Sequence, residues 1–285
     1  MYSCLGITLF FNGIEMLFLQ LKMLSRVCDH IIIVEPECNT RGELRKSLEF
    51  DRFLERFGDI TKGISYEYFK IPRKEFKEVK NLELDRHIAF ENEGMGRSIP
   101  IINNKAEYYI YNDPDEIFSD EQIEEVKQLI SGQFKGEKEF KYWSHNYYLN
   151  WRCVHFRNWR HILRNRDWNQ LFCKNEPIID QCSHLFDYES GQKFALKFKG
   201  KRQRPTQTNL KTIGYHFSYI YSLETKLRNM SHTELTNSLS IVKKRKSKRI
   251  SAANPNAKCI SIPITDIQIR DLHEQIDIFR PFIGL

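Results

Sequence analysis

The first ~35 residues constrain the fold most strongly, because their apolar patterning follows the order strand, helix, strand. Residues 4–11 form a short apolar run typical of a buried strand. Apolar side chains then recur at helical spacing at Ile14, Leu17, Leu21 and Leu24. The β-branched run at residues 30–35 predicts a second buried strand. This succession has the size of a βαβ unit, so the sequence predicts an α/β protein whose parallel sheet carries helices on its faces.

The rest of the chain continues this pattern and then changes. We predict helices at residues 47–57, 82–93 and 221–239, and strands at 64–69 and 108–111. Two helix starts carry capping-box signatures: Asn12 with Glu15, and Ser119 with Gln122. From residue 139 to about 217, aromatic strands and turns dominate, which indicates an antiparallel or mixed region.

Composition narrows the classes of partner but does not select one. The net charge is +7, which favours anionic partners such as nucleic acid, a nucleotide diphosphate or an acidic membrane surface. The basic run at residues 243–249 predicts either peripheral contact with a membrane or polyanion, or a solvated helix end. The modest charge and the lack of RRM, KH or zinc signatures argue against a stable nucleic-acid partner.

The cysteines and the N-terminal segment indicate a reducing compartment. The seven cysteines contain no CxxC pair, so neither a disulfide framework nor a zinc knuckle is indicated. Residues 4–24 are interrupted by polar side chains and lack a basic start, which is unlike a signal peptide or a membrane anchor. On this basis we expect a cytoplasmic protein.

The strongest local signal is the acidic segment Asp113-Pro114-Asp115-Glu116, which follows an apolar strand. Pro114 favours an extended conformation at Asp113, and in extended backbone residues two apart point to the same side. We therefore expect Asp113 and Asp115 to face one cation, with Mg²⁺ or Mn²⁺ favoured by their hard oxygen ligands. The alternative is an acidic turn before a helix N-terminus, where carboxylates are favoured in any case.

Several blocks in order resemble glycosyltransferase family 17, the family of the β-1,4-mannosyl-glycoprotein N-acetylglucosaminyltransferase. The blocks are residues 10–17 (FFNGIEML), 27–35 (VCDHIIIVE), Thr40, Gly42, Lys46, Arg86, 112–117 (NDPDEI), 214–219 (GYHFSY), 226–227 and 232–234. Residues 112–117 are similar to the family's Ser-Asp-Val-Asp-Glu-Ile, and residues 214–218 to its Gly-Trp-His-Phe-Ser. The departures are Asn112 for Ser, Pro114 for Val and Tyr215 for Trp. The anchor of the family's luminal members is not seen in this sequence.

The resemblance implies a GT-A-like fold with a Rossmann-type nucleotide-binding half, a DxD motif and a less regular acceptor half. It also implies a divalent metal, UDP-N-acetylglucosamine as donor, inversion at the anomeric carbon and a glycan acceptor. The corresponding division is residues 1–135 for the nucleotide-sugar half, 136–240 for the acceptor side of the same catalytic domain, and 241–285 for a basic tail. A nucleic-acid-binding protein and a metal-dependent phosphohydrolase remain the alternative functions.

Each further candidate residue has a structural alternative. The resemblance makes His216 a metal or diphosphate ligand, although a core histidine would fit the same aromatic strand. Asn12, Glu15 and Glu35 would line a nucleotide pocket, or else cap a helix and end a strand in solvent. Lys46 and Arg86 would pair with a diphosphate, or form surface ion pairs. For the catalytic base the candidates are Asp180, Asp187 and Glu189, of which we favour Asp187, and Glu116 is a weaker catalytic candidate.

Overall fold

The computed structural model describes residues 2–81, 88–89, 92, 104, 106–133, 139–148, 151–164, 186–187, 192–193, 207–217 and 259–282. Arg86, the helix expected at 221–239 and the basic run at 243–249 lie outside the described residues. Most of the helix expected at 82–93 lies outside them as well.

The described strands and helices follow one another in this order. The strands are β1 (Tyr2–Leu9), β2 (His30–Pro36), β3 (Tyr66–Ile71), β4 (Ala106–Asn112), β5 (Glu116–Ile117), β6 (Glu139–Tyr148), β7 (Trp151–Arg164), β8 (Phe186–Asp187), β9 (Gln192–Lys193), β10 (Gln207–His216) and β11 (Cys259–Ser261). The helices are α1 (Ile14–Leu24), α2 (Phe50–Phe57), α3 (Asp120–Gln128), α4 (Arg270–Glu274) and α5 (Ile276–Phe279).

The first half of the chain builds a parallel sheet of four strands in the order β3-β2-β1-β4. In β1, Gly6 pairs with Ile31 of β2 on one side and with Ile110 of β4 on the other. The apolar runs form these strands because both faces of a parallel sheet are covered and no polar face is needed. The predicted βαβ unit and Rossmann-type fold class are thus confirmed.

The second half extends the same sheet with mixed strand directions. Strand β7 pairs antiparallel with β4 and with β6, β10 runs parallel to β6, and β5 closes the path antiparallel to β10. The expectation of an antiparallel or mixed second half is confirmed. The subdivision at residues 135 and 240 stays a prediction.

Helix α1 supplies much of the core, because nearly all of its surface is buried against the sheet and neighbouring helices. Phe18 stacks on Phe57 of α2 with ring centroids 4.9 Å apart. Leu272 and Phe279 of the C-terminal helices are fully buried in the same core cluster. Burial of this kind is the main source of helix stability in a globular protein.

The start of α1 differs from the sequence prediction. The N-cap residue is Gly13, with φ +85 and ψ +67, and no side chain caps the helix. The capping box predicted for Asn12 and Glu15 is therefore wrong, because the left-handed glycine turns the chain into the helix one residue later. At α3 the prediction is confirmed, since the Ser119 hydroxyl accepts a hydrogen bond from the Gln122 amide over 3.1 Å.

Within the described part of the chain, no helix combines the length and the apolar character that crossing a bilayer requires.

Candidate functional site

The carboxyl ends of β1 and β4 meet at the point where the strand order of the parallel sheet reverses. The chain runs outward from β1 through β2 to β3 and then returns to place β4 on the other side of β1. In open α/β sheets, ligands bind in the crevice beyond the carboxyl ends of the strands at such a switch point. Here that edge carries the loop at residues 10–13 and the acidic segment at residues 113–116.

The acidic segment is a β-turn rather than an extended stretch. The Glu116 amide donates to the Asp113 carbonyl over 2.9 Å, which closes a four-residue turn with Pro114 in its second position. Proline is favoured there because its fixed φ matches the turn. The prediction that Asp113 and Asp115 lie in extended backbone is therefore wrong, because the two residues are the first and third positions of a turn.

The turn brings Asp115 to His216, which was also predicted to be a metal ligand. Asp115 Oδ1 lies 3.5 Å from His216 Nε2, and the two side chains are 17% and 13% exposed. Two backbone features hold them together: Glu116 pairs with His216 between β5 and β10, and the Phe217 amide donates to the Asp115 carbonyl over 2.8 Å. The pair is thus fixed by sheet pairing and remains open to solvent.

The chemistry of this pair fits a divalent cation. Two ligands of one ion with bonds of about 2.1 Å lie roughly 3 Å apart, so a separation of 3.5 Å needs little adjustment. Carboxylate suits Mn²⁺ and Mg²⁺, and imidazole suits transition metals. Within the described residues, no group of three or more His, Cys, Asp or Glu side chains is placed to hold a metal. A cation here would therefore take its other ligands from water and substrate oxygens, as Mg²⁺ commonly does.

Polar side chains hold the backbone of the turn. Gln20 of α1 donates from Nε2 to the Asp113 carbonyl over 2.7 Å. Asn112 Nδ2 donates to the Glu116 carbonyl over 3.0 Å, and Glu116 Oε2 accepts from the Asp113 amide over 3.1 Å. Glu116 is buried, and this position favours a role in holding the turn over the predicted role in catalysis. Whether the Asp113 carboxylate contacts a metal stays a prediction.

The end of β2 carries a buried ion pair that the sequence did not indicate. Glu35 is 0% exposed and accepts from Arg45 Nη2 at 3.0 Å, the Tyr68 hydroxyl at 3.0 Å, and the amides of Glu49 at 2.7 Å and Phe50 at 3.2 Å. The interpretation of Glu35 as a solvated strand end is wrong, because the carboxylate is buried among these donors. Its predicted contact with a base or ribose stays a prediction. Burial and then the charge of Glu35 raise the pKa of the Tyr68 hydroxyl, so that this group stays protonated.

Arg45 links this ion pair to the loop after β1. Its guanidinium donates to the Pro36 carbonyl over 2.9 Å and to the Phe11 carbonyl, and it lies 5.7 Å from the centroid of the Phe11 ring. Arg45 thereby fixes one wall of the switch-point crevice. The sequence analysis favoured the neighbouring Lys46, whose side chain is exposed.

The other predicted contacts are distributed as follows. Glu15, at the start of α1, pairs with Arg56 of α2 over 2.5 Å, so its charge is matched within the protein. Asn12 is half-buried in the loop after β1, at the crevice. Asp187 lies in the short strand β8, and its side chain is outside the described part of the chain. The predicted ligand contacts of Asn12, Glu15, Lys46 and Arg86 stay predictions, as does the predicted role of Asp187 as catalytic base.

The fold and the site together define a class of protein: Rossmann-like, α/β, with an acidic turn and a histidine at the switch point of the sheet. No protein-family model and no curated protein matches the chain. Among solved structures it is weakly similar to the mannosyltransferase PcManGT from Pyrobaculum calidifontis, solved in complex with GDP-Man and Mn²⁺. That match has a TM-score of 0.39 and 7% identity, and covers 80% of this chain. The chain spans 61% of the length of that protein. The fold class depends on the strand order and not on this likeness, and the resemblance to glycosyltransferase family 17 receives no support from these comparisons.

Proposed function

We propose that this protein is a metal-dependent glycosyltransferase that takes its sugar from a nucleotide-sugar donor. The observation that carries the proposal is the pairing of Asp115 with His216 at the switch point between β1 and β4. A nucleotide bound in the crevice would lie with its phosphates over this edge, where a cation on the pair meets them. The similarity of the sequence blocks to glycosyltransferase family 17 supports the same function.

Residues from three parts of the chain would have separate roles in the reaction. Asp115 and His216 would hold a divalent ion, and such an ion would supply positive charge to stabilise the departing nucleotide diphosphate. The loop at residues 10–13, fixed by Arg45, forms the wall against which the nucleoside packs. A carboxylate from the second half of the chain, for which we propose Asp187, accepts the proton of the attacking hydroxyl.

The finer assignment follows from the sequence resemblance. We propose UDP-N-acetylglucosamine as the donor, a glycan or glycoconjugate as the acceptor, Mn²⁺ or Mg²⁺ as the cation, and inversion at the anomeric carbon. Incubation with a panel of labelled nucleotide-sugars and glycan acceptors in the presence of Mn²⁺ tests this assignment directly. Transfer to the acceptor supports a transferase, whereas release of free sugar alone supports a hydrolase.

The metal pair is tested by the binding of UDP to the full chain with and without Mn²⁺, measured by titration calorimetry. We expect Mn²⁺-dependent binding that Asp115→Asn weakens at least about tenfold, because a ligand of the ion is lost. Asp59→Asn is the matched control, since Asp59 is exposed and pairs with Lys62 of its own turn at 2.6 Å. Binding of UDP that is independent of metal and unchanged in Asp115→Asn would refute the proposal.

A further inference from the structure

Gln20 is a fully buried polar side chain on the otherwise apolar inner part of α1. It is 0% exposed, and its neighbours along the helix, Leu17, Leu21 and Leu24, are fully buried hydrophobic residues. Its Nε2 donates to the Asp113 carbonyl over 2.7 Å, across 93 positions of the sequence. A central residue of α1 thus contacts the first residue of the acidic turn.

The side-chain oxygen of Gln20, unlike its nitrogen, makes no hydrogen bond with the described residues. This Oε1 atom is buried. A buried acceptor without a partner lowers the stability of the folded protein, and an apolar side chain of similar volume would avoid that loss. Stability alone therefore does not account for glutamine at this position, whereas its contact with the turn does.

We infer that Gln20 is a positioning residue for the metal-binding turn, an inference that rests on the proposed function. The hydrogen bond from Gln20 fixes the position of the Asp113 carbonyl relative to α1. The turn that starts at Asp113 then places Asp115 beside His216. Loss of this hydrogen bond frees the first residue of the turn from α1. The turn is still held at its other end by the Phe217 amide on the Asp115 carbonyl. The expected defect is therefore a misplaced ligand rather than an unfolded protein.

The test compares Gln20→Met and Gln20→Leu with the wild-type protein in two measurements. Titration calorimetry gives the affinity for UDP in the presence of Mn²⁺, and thermal unfolding in the absence of both gives stability. We expect both variants to melt at or above the wild-type temperature while their affinity falls about tenfold, as for other residues that orient metal ligands. A residue with a purely structural role would move both quantities in the same direction.

Thr8→Val is the matched control, because it also removes a buried polar atom without a partner. The Thr8 hydroxyl is fully buried in β1 and has no hydrogen-bond partner among the described residues. We expect this variant to melt at or above the wild-type temperature with its affinity unchanged.

The outcomes separate the two proposals. If the wild-type protein binds neither UDP nor any other nucleoside diphosphate with Mn²⁺, the proposed function is refuted and the role of Gln20 falls with it. If the wild-type protein binds and both Gln20 variants bind equally well, or if both variants melt well below wild type, only the positioning role is refuted.

Discussion

Replacing Arg45 with methionine probes the buried ion pair that anchors the crevice wall. Methionine keeps most of the length and apolar volume of the side chain but removes the charge that lies 3.0 Å from Glu35. It also removes the hydrogen bonds to the Pro36 and Phe11 carbonyls. The Arg45 side chain is only 8% exposed, so water does not readily take its place.

The expected loss of stability can be worked from the partners that remain. Removing one partner of a buried ion pair costs about 3–5 kcal/mol, because the other charge is left in a medium of low polarity. Glu35 keeps three donors, the Tyr68 hydroxyl and the amides of Glu49 and Phe50, which places the loss near the lower limit. We therefore expect Arg45→Met to lower the free energy of unfolding by about 3 kcal/mol and the melting temperature by roughly 5 °C.

Urea unfolding followed by circular dichroism measures this loss, and Arg52→Met is the matched control. Arg52 pairs with Glu49 at 3.4 Å but is 68% exposed, so its removal should change the free energy of unfolding by less than about 0.5 kcal/mol. The double variant Glu35→Gln with Arg45→Met should recover part of the loss, because no uncompensated charge is then buried. An effect of Arg45→Met below about 1 kcal/mol, or no larger than that of Arg52→Met, would contradict the reasoning.

Two further predictions concern single positions. Gly42 has φ +76, and a Cβ there would lie 2.3 Å from the Lys77 carbonyl oxygen, whereas Gly63 has φ +90 and nothing within 4 Å. Urea unfolding should therefore show that Gly63→Ala costs about 1 kcal/mol and Gly42→Ala at least about twice as much; equal losses would contradict the backbone clash. Burial raises the pKa of Asp271, so the folded state holds its proton more tightly than the unfolded state, and the resulting stabilisation is lost as the pH rises through the folded pKa. Asp271→Asn should then unfold at higher urea than wild type at pH 7, and the gain should vanish below the ordinary pKa of 3.8; a gain that does not depend on pH would refute this cause.

The sequence predicted those parts of the fold that depend on local patterning. The run at residues 30–35 is a strand because β-branched apolar residues suit a sheet buried on both faces. Ser119 caps a helix because its hydroxyl reaches an amide three residues on. The Ser119 cap depends on a contact between residues close in the sequence, and the strand depends only on the burial of apolar side chains.

Contacts between distant segments were the ones missed. The enclosure of Glu35 was not predicted, because its donors, among them Tyr68 and the start of α2, come together only in the folded chain. The same holds for Gln20 and Arg45, whose partners no spacing in the sequence reveals. The turn that begins at Asp113 could have been predicted from the sequence, because proline in the second position of a four-residue segment is a turn signal.

The two-residue strand β5 has a consequence for the order in which the protein assembles. Its pairing with β10 joins residues about one hundred positions apart, and contacts of such long range form late, because the intervening chain must first be ordered. Until β10 docks, Asp115 has no His216 beside it. In the proposed site, this pair could therefore hold a cation only after β10 has docked. A nascent or truncated chain without β10 would lack the proposed metal site even if its first four strands were formed.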